Sequence, residues 1–218
     1  MQTFSIPDPL YLVVLLIGLS LAPFIAIMVT SYLKFTVVLS LIRNALGIQQ
    51  IPPNMVINGL AIILTIYVMA PIFEETGLIL SQSDLSKKDI PTLKEAAIKA
   101  KEPIRHFLLK HCHEKERVFF MKTAKSLWPE NKAATLKSDD LIVLVPSFTV
   151  SELTTSFEIG FLLYLPFIAI DLVVSNILLA MGMMMVSPMT ISLPFKLLLF
   201  VLLDGWTRLI HGLVLTYR

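Results

Sequence analysis

One cysteine, Cys112, is all that the 218-residue chain carries, so no internal disulfide is available and the redox compartment stays open. Charge is scarce as well: only 16% of residues are Asp, Glu, Lys or Arg, which with 56% hydrophobic residues excludes an ordinary soluble globular domain. There is no GxxxxGK[ST] phosphate loop, so the chain has no site for driving work with a nucleotide itself. No GxSxG elbow, HExxH or CxxC is present, which removes the usual serine-hydrolase and zinc signatures. The opening MQTFSIPDP lacks a basic stretch, and a cleaved signal peptide is not expected. The net charge is +2, and no nucleic-acid partner, cofactor or enzymatic activity is expected.

What is present is long apolar runs. Leu10 to Leu33 carries no charge, and Met55 to Phe73 is a second such stretch. Each is near the roughly 20 residues that cross a bilayer core. Ile159 to Met185 is a third, interrupted by Asp171 alone, and Ile191 to Leu203 with its continuation to Val214 is a weaker fourth. Mean hydropathy is +0.77, and the chain reads as a membrane-class protein.

Charge divides the chain into three. Residues 74–140 hold 13 of the 18 Lys and Arg and 11 of the 16 Asp and Glu, which marks a polar insert between an apolar region at 1–73 and another at 141–218. The expected fold is all-α: two kinked helical hairpins of membrane-like helices, separated by a mainly helical insert, in an oligomer. Gly47 suits the end of one helix and Pro52 and Pro53 the start of the next; Gly182 and Pro188 repeat that layout. Up-and-down packing would put both turns on one face. Pro23 and Pro166 predict kinks. In the insert, Leu93, Ala97, Ala100, Phe107, Val118, Phe119 and Leu127 predict amphipathic helix from Asp89 to Trp128, punctuated by Pro91, Pro103 and Pro129. Ser138, ahead of Asp139 and Asp140, resembles a helix cap.

Charges outside the insert carry the strongest packing constraint. Asp204 and Arg208 are four apart and can pair on one helix. Lys34, Arg43 and Lys196 have no acid in their own segments, and Glu152, Glu158 and Asp171 have no base. A charge at the centre of a lipid-facing helix costs roughly 2.5–3.5 kcal/mol. Partners are therefore expected on other helices or other subunits, and shielding by protein favours an oligomer. Asn44, Gln49, Gln50 and Asn58 flank the first turn, where their amides can bond across helices or face a channel.

The densest feature is MGMMMVSPM, residues 181–189, with half of all the methionines. Unbranched thioether side chains make a soft surface that repacks around varied partners. Copper binding is a weaker reading, since no Cys or His accompanies them. His106, His111, Cys112 and His113 lack metal-ligand spacing and read as a solvated helix face. An Asp171–Asp204 protease dyad lacks its motifs, whereas a secondary transporter using Lys34, Asp171 and Lys196 is the stronger alternative.

The stretches TSYLKFTVVLSLIRNALGIQQIPPN, VPSFTVSELTTSFEIGFLLYLPFIAIDLVVSNILLAMGMMMVSP and TISLPFKLLLFVLLDGW resemble the R-subunit family of the type III secretion export gate (FliP/SctR), on the injectisome side. The resemblance implies a homo-pentamer that joins S- and T-type subunits and further apparatus components in a cone-shaped gate at the bacterial inner membrane. It also implies hairpins raised toward the periplasmic side, lipid contact and unfolded polypeptides as cargo. The matching gasket positions are Met183, Met184 and Met185. The acid of SEL and the lysine of PFK, here Glu152 and Lys196, would form an ion pair between subunits. Energy would come from an ATPase and the proton gradient through other components.

Overall fold

The computed structural model describes residues 9–48, 50–82, 96 and 98–218. Every regular element among them is helical: α1 (Pro9–Val29), α2 (Tyr32–Ala45), α3 (Asn54–Gln82), α4 (Glu102–His111), α5 (Glu114–Leu127), α6 (Glu130–Ala133), α7 (Leu141–Ala180), α8 (Pro188–Leu202) and α9 (Gly205–Leu215). The expected helix positions from Asp89 to Glu95, with Pro91 and Leu93, lie outside the described residues, as do Asp8, Gln49 and Ala97.

The centre of the fold is α2. Phe35, Val38, Leu39, Ile42 and Ala45 recur at three- and four-residue spacing, which gives one buried stripe on a short helix. Against it pack Ile57, Ala61 and Leu64 of α3, Phe167 of α7, Phe200 of α8, and Leu209 and Leu213 of α9. A second cluster joins the insert to the rest through Met69, Phe107, Leu108, Leu144 and Phe148. Helix α7 is the scaffold: 40 residues, about 60 Å at helical rise, touched by α1, α2, α4, α5 and α8. It packs tightly on α2 at Gly160, where a Cβ would sit 2.2 Å from Leu41 Cδ1.

Several boundaries differ from the sequence reading. Helix α3 continues to Gln82, past the charge boundary at 74, because helix geometry does not end where hydropathy does. Ser138 caps nothing: α7 begins at Leu141, with Asp140 at the cap position accepting from the Lys137 N–H at 2.8 Å, while Asp139 pairs with Arg105 at 2.8 Å. The two sharp breaks fall where no proline stands. The Pro23–Val29 part of α1 meets α2 at 79° across Thr30–Ser31, and α8 meets α9 at 61° across Leu203–Asp204. Asp204 adopts a left-handed conformation (φ 50°), which ends α8 and restarts the chain as α9. Gly205 makes that corner tight, since a Cβ there would lie 2.4 Å from the Phe200 ring.

Helices α3 and α7 are long and apolar enough to cross a membrane, and four spans result if each bent pair counts as one. The chain exposes 15059 Å². A folded monomer of 24.4 kDa exposes about 10,000 Å². Many large apolar side chains are on this surface, with Phe157, Phe161, Leu162, Leu172 and Val173 of α7 among them, and they call for a cover of lipid or other chains.

Candidate functional site

The methionine turn is built by a glycine. Gly182, at φ 73°, takes the left-handed position that closes α7, with its N–H on the Leu179 carbonyl at 3.0 Å and the Met183 N–H on the Leu178 carbonyl at 2.9 Å. These are the paired bonds of a Schellman cap. The chain is thereby thrown clear of the bundle: Met184 is 81% and Met185 100% exposed, and Met183 is exposed as well. Gly47 also takes the left-handed position after α2, at φ 78°, with its N–H on the Asn44 carbonyl at 3.0 Å. Its Cα faces Leu193 and Met189 at the start of α8, so the two turns adjoin at one end of the molecule, as up-and-down packing predicts. Asn44, Gln50 and Asn58 are exposed around the first turn, and Arg43 pins it by donating to the Pro52 carbonyl at 3.3 Å and to Asn54 Oδ1.

Two buried ionic anchors hold this end to the rest. In the upper one, Lys196 is 2% exposed and donates to Asp171 Oδ2 at 2.6 Å and to the Ala45 carbonyl at 3.3 Å. The Ser192 hydroxyl donates to Asp171 Oδ1 at 2.5 Å. Ala45 ends α2, so its carbonyl has no helical partner, and a cation there also suits the negative end of the helix dipole. One lysine therefore fastens α7 and α8 to the base of the first turn.

In the lower anchor, Lys34 donates to Glu152 Oε1 at 2.9 Å and to Thr216 Oγ1 at 3.4 Å, and lies 4.1 Å from the centre of the Tyr217 ring. The Tyr217 hydroxyl donates to Glu152 Oε2. Burial, then the Glu152 carboxylate, pushes the Tyr217 phenol above its usual range, so it remains a donor. Phe107 of the insert stacks on that ring and His111 meets it edge-on. Burial, with Lys34 and Lys110 nearby, lowers the His111 pKa to about 4, so the ring is neutral near pH 7. Cys112 lies beside Ser151, with Sγ to Oγ 3.8 Å, and burial raises its thiol.

Lys34, Glu152, Asp171 and Lys196 thus find ionic partners on other helices of the same chain, one of the two places expected for them, whereas Arg43 meets only uncharged groups and Glu158 has no ion pair among the described residues. Exposed apolar area carries the inference of other subunits instead. Glu152 and Lys196, the ion pair that the resemblance implies between subunits, are not partners within the chain; each is buried with a different residue. Asp204 and Arg208 form no ion pair either, because the break at Asp204 destroys the shared helix face, leaving only the Arg208 N–H on the Asp204 carbonyl at 3.1 Å. Glu158, Asp204 and Arg208 are exposed, not buried. Thr216 and Tyr217 were invisible as site residues in the sequence. Their only signal is two polar side chains directly after an apolar run.

Residues 15–213 match the model of the FliP family. The chain belongs to the FliP family. It is 59% identical over 213 residues to the Yop proteins translocation protein R of Yersinia pestis, covering 98% of each chain. It is 53% identical over 212 residues to the hypersensitivity response secretion protein HrcR of Ralstonia nicotianae, covering 95% of this chain and 96% of that one. To the virulence protein YscR of Salmonella typhimurium it is 50% identical over 214 residues, covering 98% and 99%. This FliP-family chain is a non-enzymatic component of the type III secretion export apparatus.

Proposed function

We propose that the chain is the core subunit of the export gate through which unfolded polypeptides cross the bacterial inner membrane, and that Met183, Met184 and Met185 close its pore. Several copies, five by family resemblance, surround one axis with S- and T-type partners, in an assembly raised toward the periplasmic side. The observation that carries this reading is a three-methionine tip exposed on a glycine-capped turn, above a bundle held by the Lys34–Glu152 and Lys196–Asp171 pairs. Thioethers are apolar enough to repel hydrated ions and flexible enough to move aside for an extended chain. Energy enters through other components.

Replacing Met183, Met184 and Met185 by alanine is expected to raise ion leakage in whole cells or reconstituted membranes while the complex still assembles, since the tip supports no core contact of its own chain. Unchanged conductance removes the gasket role. A secondary transporter is disfavoured by the separation of its candidate residues. Lys34 and the Ala45 carbonyl that holds Lys196 are eleven residues apart on α2, about 16 Å, and each lysine is already neutralised.

A further inference from the structure

Once the two internal anchors are set aside, Glu158, Asp204 and Arg208 are left exposed beside apolar surface; Asp204 sits at the corner that ends α8 and does not pair with Arg208, so Glu158 and Arg208 are the opposite charges carried on helix faces. Glu158 stands beside exposed Phe157, Phe161, Leu162 and Leu165 of α7, and Arg208 stands on α9 below exposed Leu202 and Leu203. Neither has an ion pair among the described residues. Arg43 is turned to Pro52 and Asn54 near the methionine end. Lipid cannot neutralise a carboxylate set among phenylalanines, and leaving it there is costly.

The two sites stand at one level. Phe200 meets the Phe167 ring at 6.4 Å, and Tyr217 reaches Glu152, so residues 200 to 217 run back alongside residues 167 to 152 of α7. Arg208 falls within the first interval and Glu158 within the second. Both helices pack on α2, α7 through Gly160 against Leu41 and α9 through Leu209 and Leu213. A rotation about an axis parallel to α7 therefore keeps Arg208 of one copy level with Glu158 of the next. Such a contact is heterologous and builds a ring when the rotation closes. The surplus exposed surface exceeds the roughly 800 Å² per partner that a standard interface buries.

We infer that Glu158 of one copy pairs with Arg208 of its neighbour, and that this pair sets the register between adjacent copies of the chain. The inference rests on the proposed gate reading, because it needs several copies around one axis.

The test uses the full chain co-expressed with its apparatus partners. Glu158→Arg and Arg208→Glu should each lower the yield of assembled particle about tenfold, equivalent to about 1.4 kcal/mol, and the double reversal should recover most of it. As a readout that does not depend on the reversals folding, Glu158→Cys and Arg208→Cys are placed in a Cys112→Ser background. A short bifunctional maleimide, which reaches across the gap that two such long side chains span, should convert the doubly substituted chain into a ladder of multimers. Mixed single-cysteine chains should stop at dimers, and either single substitution alone should give none. A particle that assembles normally with each reversal and gives no ladder overturns the Glu158–Arg208 pair alone. A wild-type chain that purifies as a single copy overturns the gate reading with it.

Discussion

Removing the ammonium of Lys34 should damage this protein more than removing any exposed charge, and a double-mutant cycle can show whose lysine neutralises Glu152. In Lys34→Met, Glu152 stays 2% exposed with the Tyr217 hydroxyl as its remaining side-chain partner. Stranding one member of a buried pair costs about 3–5 kcal/mol. At about 2–4 °C per kcal/mol for a chain of this size, the melting temperature should fall by roughly 6–20 °C. Glu152→Gln should be milder, because Lys34 keeps Thr216 and the face of Tyr217, a contact worth up to about 2 kcal/mol when desolvated. Lys34→Met with Glu152→Leu should return toward wild type, since apolar replacement of both partners is often neutral. Thermal unfolding of the assembled, detergent-extracted complex gives the coupling energies. We expect about 1–3 kcal/mol between residues 34 and 152, and within about 0.5 kcal/mol between 152 and 196, whose anchors are well separated. A larger coupling for 152 with 196 would refute the intrachain assignment and establish that a neighbour's Lys196 holds Glu152 in the assembly.

Asp171→Asn should loosen the methionine end without unfolding the insert; faster proteolysis near residues 181–187, with unchanged cleavage elsewhere, checks it. Gly205→Ala drives a methyl group into a rigid ring and should cost about 1–3 kcal/mol, with Phe200→Leu restoring part of the melting temperature. His111 titrates below its unfolded value of 6.5, so the unfolded chain binds more protons between pH 6.5 and about 4. Stability from this group is therefore intact above pH 6.5 and declines as pH falls toward 4. His111→Phe should flatten that part of a stability profile, and an unchanged slope would exclude His111 as its source.

Much of the architecture was legible in the residues because the signals are local. Glycine followed by proline marked both turns, and Gly47 and Gly182 do take left-handed backbone there. Runs without charge marked the helices, and the methionine cluster marked the exposed tip. The insert's helices were read from Phe107 and Pro103, though not their limits, because the end of a helix depends on which backbone groups find other partners.

The sequence by itself determined an all-helical, membrane-class chain with an apolar, sulfur-rich turn, because hydropathy, helix-ending glycines and side-chain softness are properties of neighbouring residues. Only the tertiary structure decided which charges meet. Lys34 and Glu152 are separated by 118 positions and Lys196 and Asp171 by 25, and no spacing rule links residues whose helices must first be packed. It also decided that the chain turns sharply at Ser31 and Asp204, since those corners are set by what the following helix must bury. The same packing leaves Glu158 and Arg208 outside, where another copy of the chain can reach them.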